Sequence, residues 1–128
     1  MRANRAGSGG GLFFLASDAV LHDTEVSDDT VSGTTATGGG IMTQGGSLAC
    51  TGGRIDTNDG AVAGGGVSAR DGRAALDGVA IESNTVTGDG GGAYTTGGPL
   101  QVRRCTITAN SAGGRGGGVF AFGDSLVL

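Results

Sequence analysis

The stretch GGGVSARDGRAALDGVAIESNTVTGD, residues 64–89, decides the fold, because its landmarks return in the same order on either side of it. The Gly-Gly-Gly that opens it recurs at 9–11, 38–40, 90–92 and 116–118, at intervals of 29, 26, 26 and 26 residues. Aligned on that triplet, the apolar residues fall into columns. Val67 shares its place with Leu12, Ile41, Ala93 and Val119; Ala74 with Ala19, Leu48, Leu100 and Leu126; Leu76 with Leu21, Cys50, Val102 and Leu128. Ile81 lines up with Val26, Ile55 and Ile107, and three residues later stand Asp29, Asn58, Asn84 and Asn110. A chain whose chemistry repeats at a constant long period is a stack of similar units, each burying its apolar residues against its neighbours.

Composition selects the kind of stack. Thirty of 128 residues are glycine, and each glycine inside a helix costs roughly 1 kcal/mol relative to alanine, so helical repeats are disfavoured. Apolar residues sit two apart within a unit, as in Leu48 and Cys50 or Leu100 and Val102, which is the period of a strand with one buried face. In the second unit three such pieces fall around 40–43, 47–51 and 53–57, separated by glycine-rich corners. The expected fold is therefore all-β: a right-handed parallel β-helix over residues 9–128, about 4.5 coils of 26 residues with three short strands per coil. Residues 1–8 read as the remnant of a preceding coil or a leader, because Asn4-Arg5-Ala6 matches Asn110-Ser111-Ala112. Neither end has a recognisable cap. Collagen would need glycine at every third residue and far more than one proline. A chain 37% hydrophobic and 16% charged, with valine and isoleucine in register, is not a disordered linker.

The recurrent asparagines have a structural use. Each stands where a strand turns, and amides stacked from coil to coil can donate and accept along a ladder. Asp29 is the irregular rung, since a carboxylate has no amide hydrogens to pass on. The remaining candidates are weaker. Asp56 and Glu82 occupy one outward column on adjacent coils, where two carboxylates about 5 Å apart could share a proton or a divalent cation. The first unit carries Asp18, Asp23, Glu25, Asp28 and Asp29 beside the sole histidine, His22, with no standard ligand spacing. They read as a hydrated acidic edge. Tyr94, Phe120 and Phe122 would form an apolar outward patch suited to stacking on a sugar or meeting a protein. Cys50 lies in an inward column and Cys105 two coils away, roughly 9.6 Å, too far for a disulfide.

No phosphate loop, metal motif or cofactor signature stands in the chain, and no metal or cofactor is expected. All eight basic residues are arginine and the net charge is −4, which argues against nucleic acid as a partner. No run of 18 apolar residues exists to span a membrane as a helix.

The paired motifs GGG[LIVA], at 9–12, 38–41, 64–67, 90–93 and 116–119, and IDTN, IESN and ITAN at 55–58, 81–84 and 107–110, resemble the GGA[IVL] and FxxN repeats of bacterial polymorphic outer membrane proteins and autotransporter-type adhesins. The chain differs in carrying a third glycine in front and isoleucine where phenylalanine is usual. The resemblance implies a non-catalytic, structural or adhesive segment of a larger secreted or outer-membrane protein, at the cell surface or outside it. Its expected partners are a glycan or a host surface protein. Flanking coils of the same polypeptide, or self-association, would cover its ends. Pectate lyase-like enzymes share the fold, so a fragment of a polysaccharide-active enzyme is the alternative.

Overall fold

A computed structural model describes residues 2–60, 62–122 and 126–128. Met1, the first residue of the expected leading segment, lies outside the described residues. The chain is an all-β solenoid in which every strand pairing is parallel. Residues one repeat apart lie side by side: Ile81 pairs with Ile55 on one flank and Ile107 on the other.

Each coil has four sides rather than the three that alternation predicts. The first side stacks Leu12–Leu15, Ile41–Gln44, Val67–Arg70, Ala93–Thr96 and Val119–Phe122. The second stacks Ala19–His22, Ser47–Thr51, Arg73–Asp77, Leu100–Arg103 and Leu126–Val127. The third holds Glu25–Ser27, Arg54–Asp56, Ala80–Glu82 and Thr106–Thr108. The fourth consists of two-residue strands, Arg5–Ala6, Thr30–Val31, Asp59–Gly60, Thr85–Val86 and Ser111–Ala112. A two-residue strand turns only one side chain inward, here Ala6, Val31, Gly60, Val86 and Ala112, so it leaves no alternation to read.

The corners explain much of the glycine. Among the described residues the corners are turned by residues in the left-handed region, at the same place in successive coils: Gly45, Asp71 and Gly97 after the first side, Gly52, Gly78 and Arg104 after the second, Thr57, Ser83 and Ala109 after the third. The fourth corner begins each triplet, with Gly64 at φ +64°. The other two glycines of the triplet are required by crowding. A Cβ on Gly66 would lie 2.6 Å from the Gly92 carbonyl oxygen and 3.0 Å from Asn84 Nδ2. The backbone of one coil and the asparagine inside it thus leave no room for a side chain, which is why the triplet is longer than a turn alone needs.

The core is one continuous cluster of ranked aliphatics drawn from several columns, with Val26, Ile41, Leu48, Leu76, Ile81 and Leu100 among its fully buried members. Cys50 stands where Leu76 and Val102 stand on later coils, and a void of about 10 Å³ lined by Leu21, Val26, Ile55 and Val79 lies beside its shorter side chain. Burial pushes the Cys50 thiol up to about 12, with Cys105 a lesser cause. Cys105 is only half-buried, packed against the core from its edge, and it donates to the Arg103 carbonyl. Only the thiolate reacts with alkylating agents. Native protein at pH 8 is therefore expected to take up label at Cys105 and not Cys50, and both should label in denaturant; equal labelling of both in the native state would contradict the buried position.

Candidate functional site

The asparagine ladder is continuous. Asn84 Oδ1 accepts from both the backbone N–H and the side-chain Nδ2 of Asn58, each at 3.0 Å. Asn84 Nδ2 donates to Asn110 Oδ1 at 3.0 Å and to the Ile55 carbonyl at 2.9 Å. Asn110 Oδ1 accepts from the Asn84 N–H at 2.9 Å, and the same pattern ties Asn58 to Val26 and Asn110 to Ile81. The bonds from amide to amide all run the same way along the axis, while each Nδ2 also donates back to a carbonyl of the preceding coil. Core and ladder are one device, because the isoleucine carbonyls are bonded by the asparagine of the next coil.

Asp29 keeps half of this pattern. It is fully buried, its N–H donates to Asn58 Oδ1 at 3.0 Å, and its Oδ1 accepts from the N–H and Nδ2 of Asn4 at 2.7 and 2.8 Å. Asn4 is thus a further rung. Asp29 Oδ2 takes the place that Nδ2 occupies elsewhere, closest to the glycine that opens the first strand, and has no hydrogen-bond partner. Two acceptors, Asp29 Oδ2 and Asn58 Oδ1, meet where the ladder needs a donor. An unpaired buried polar atom costs about 1–3 kcal/mol, so Asp29→Asn is expected to stabilise the fold by about 1–2 kcal/mol. Urea unfolding measures it, and a lower midpoint for the variant would refute the assignment. Asp29 is accordingly not part of the hydrated acidic edge read from sequence, whereas Asp18, His22, Asp23, Glu25 and Asp28 are exposed.

The outward carboxylate column is altered by an arginine. Asp56 and Glu82 pair in register, but Arg54, two residues before Asp56 on the same strand face, reaches both: 2.9 Å to Glu82 and 3.9 Å to Asp56. Parity contained this contact, since residues two apart on a strand share a face. A cation or shared proton at this pair would have to displace a guanidinium. Similar inter-coil bridges join Arg104 to Asp77, Arg115 to Asp89 at 2.8 Å and Arg2 to Glu25. Hydrogen bonding to these arginines holds Asp89 and Glu25 below the usual carboxylate range.

Tyr94, Phe120 and Phe122 come together as a ring stack. Tyr94 and Phe120 are 5.6 Å apart at 13°, Phe120 and Phe122 6.5 Å at 9°, and the Arg115 guanidinium lies 4.6 Å from the centre of Phe120. Tyr94 and Phe120 are half-buried; Phe122 is 62% exposed. The outward column that Tyr94 and Phe120 share is not solvated along its whole length. Met42 and Ser68 are buried in it. The turn before the triplet folds back over them, and Thr37 Oγ1 donates to Met42 Sδ at 3.0 Å. Ala36 and Thr37, at the end of the longer first unit, are buried in that turn.

Among the described residues no cluster of three metal-ligating side chains forms, and no helix is long and apolar enough to cross a membrane. No family model, no curated protein and no solved structure matches the chain.

Proposed function

We propose that the chain is a non-catalytic, surface-exposed shaft segment of a larger secreted or outer-membrane protein, and that its ring stack makes an adhesive contact with a glycan. The observation that carries this reading is the stack itself. Tyr94 and Phe120 stack from coil to coil and Phe122 widens the apolar ridge along its own strand, with Arg115 against Phe120 and Asp89 on Arg115. Aromatic faces next to charged hydrogen-bonding groups match the alternating C–H and hydroxyl faces of a sugar ring. The paired GGG[LIVA] and [IVL]xxN repeats supply the resemblance to outer-surface proteins on which the location rests.

Binding to a panel of immobilised neutral and acidic oligosaccharides tests it. Parent protein is expected to retain one class of them, and Phe122→Ala and Tyr94→Ala are each expected to weaken retention about tenfold, equivalent to ~1.4 kcal/mol. Absence of any bound oligosaccharide, or equal binding by the ring variants, would sink the glycan contact. Release of new reducing ends that required Asp56 and Glu82 would establish the polysaccharide-active alternative instead. Antibody labelling of intact source cells tests the location.

A further inference from the structure

We infer that the sugar met by the ring stack is acidic, and that Arg70 holds its carboxylate. The inference rests on the ring stack being a glycan contact, as proposed above, and adds the class of sugar and the residue that reads it.

The second outward column of the first side carries it. Gln44, Arg70, Thr96 and Phe122 stand in register on successive coils, each step being about 4.8 Å. The turn that returns over Met42 and Ser68 leaves this column open: Gln44, Arg70 and Phe122 are exposed and Thr96 is half-buried. Amide, guanidinium, hydroxyl and ring thus form one accessible rank along the axis. Arg70 and Thr96 have neighbouring coils on both sides within the chain, so the solenoid itself sets their surroundings.

The polar groups of this rank are unused. Four arginines are tied across coils, Arg54 to Glu82, Arg104 to Asp77, Arg115 to Asp89 and Arg2 to Glu25. Among the described residues the side chains of Gln44, Arg70 and Thr96 make no hydrogen bond or ion pair.

Charge decides which sugar fits. From the coil of Ile41 to that of Val119, between the turn before the triplet and the start of the second side, the described charged residues are Arg70, Asp71, Arg73, Asp89 and Arg115. Asp89 is taken by Arg115, whose N–H and guanidinium donate to its two oxygens at 2.6 and 2.8 Å. Asp71 turns the corner at φ +53°, with its Oδ1 directed at Gly97. Two guanidinium groups, Arg70 and Arg73, then stand against one carboxylate, and the face is short of negative charge.

The spacing suits a bound acid. Ser68 pairs with Tyr94 and Arg70 with Thr96, so Arg70 lies diagonally one coil from Tyr94, with Cα atoms roughly 8 Å apart. A sugar against Tyr94 brings a carboxylate on its ring within the span of the Arg70 side chain, and Thr96, between Arg70 and Phe122, offers a hydroxyl beside it. A guanidinium meets a planar carboxylate with two parallel N–H donors. The ligand is accordingly an oligouronate.

Retention of three oligosaccharides tests it: an oligouronate, the same chain with its carboxyls reduced to alcohols, and a sulfated neutral chain. Arg70→Gln is compared with Arg103→Gln, which removes an exposed, unpaired arginine from the second side. Neither side chain is bonded within the fold, so both variants should keep the parent's urea midpoint. The parent is expected to hold the oligouronate about tenfold more tightly than its reduced form. Arg70→Gln should abolish that preference and Arg103→Gln should keep it. Equal retention of the two forms by the parent, weakened by Tyr94→Ala, would overturn the acidic sugar and leave the ring-stack contact standing. Loss of the preference in Arg103→Gln as well would reduce it to diffuse charge, and retention of the sulfated chain alone would give Arg70 a different anion; either result overturns the inference. A protein that retains no sugar at all overturns the contact and the inference together.

Discussion

Asn84→Ala is expected to cost about 4 kcal/mol or more, since it orphans several buried partners at about 1–3 kcal/mol each. The change removes four side-chain hydrogen bonds at once: two accepted from Asn58, one donated to Asn110 and one to the Ile55 carbonyl. Asn58 is left with its N–H and Nδ2 both short of an acceptor in a site closed to water. Whole domains of this size hold only about 5–15 kcal/mol of stability, so the variant should unfold at a much lower urea concentration or fail to fold. Asn84→Asp is the informative companion. It keeps the acceptor, loses both donations and buries a charge, and it should not rescue the alanine variant. A midpoint within error of the parent for Asn84→Ala would show that the ladder decorates the core without supporting it.

Gly65→Ala is expected to be comparably damaging for a steric reason. The added methyl would be driven into the Gly91 carbonyl oxygen of the next coil and would lie 2.7 Å from the Thr85 carbonyl oxygen and 2.9 Å from its nitrogen. These are backbone atoms of the following coil, and they cannot swing away as a side-chain tip could. Relief requires the coils to part, at a cost of roughly 3 kcal/mol or more. Gly7→Ala is the control, since a Cβ there meets nothing within 4 Å, and it should shift stability by no more than about 0.5 kcal/mol. If both alanine variants unfolded alike, glycine would matter here only through chain entropy.

The solenoid was legible because its determinants recur. A column of Val26, Ile55, Ile81 and Ile107 at fixed distance from a glycine triplet has no economical explanation except stacking, and the structure pairs those residues directly. The ladder was legible for the same reason, whereas Asn4, matched to Asn110 only as the trace of a preceding coil, was not read as a rung. The fourth side escaped because two residues between two corners carry one inward position, occupied by residues as different as Val86 and Gly60. Arg54 escaped because a column alignment compares a residue with its equivalents in other coils. Its contacts with Asp56 and Glu82 run diagonally, through a side chain long enough to leave its own column. Met42 and Ser68 share the outward column of Tyr94 and Phe120, and their burial depends on the turn returning over them, a fold-back that alternation within a strand does not record.

Among the described residues the corners fall at the same place in successive coils, and the asparagine rungs are equivalent to one another. Excision or duplication of a whole repeat would therefore leave two surfaces that still mate, and the shaft would change by one step of about 4.8 Å. An insertion of any other size must be looped out, as the three extra residues of the first unit are. Recombination between repeats can thus vary the reach of such a protein in fixed increments, while single-residue frameshifts of the register would be purged.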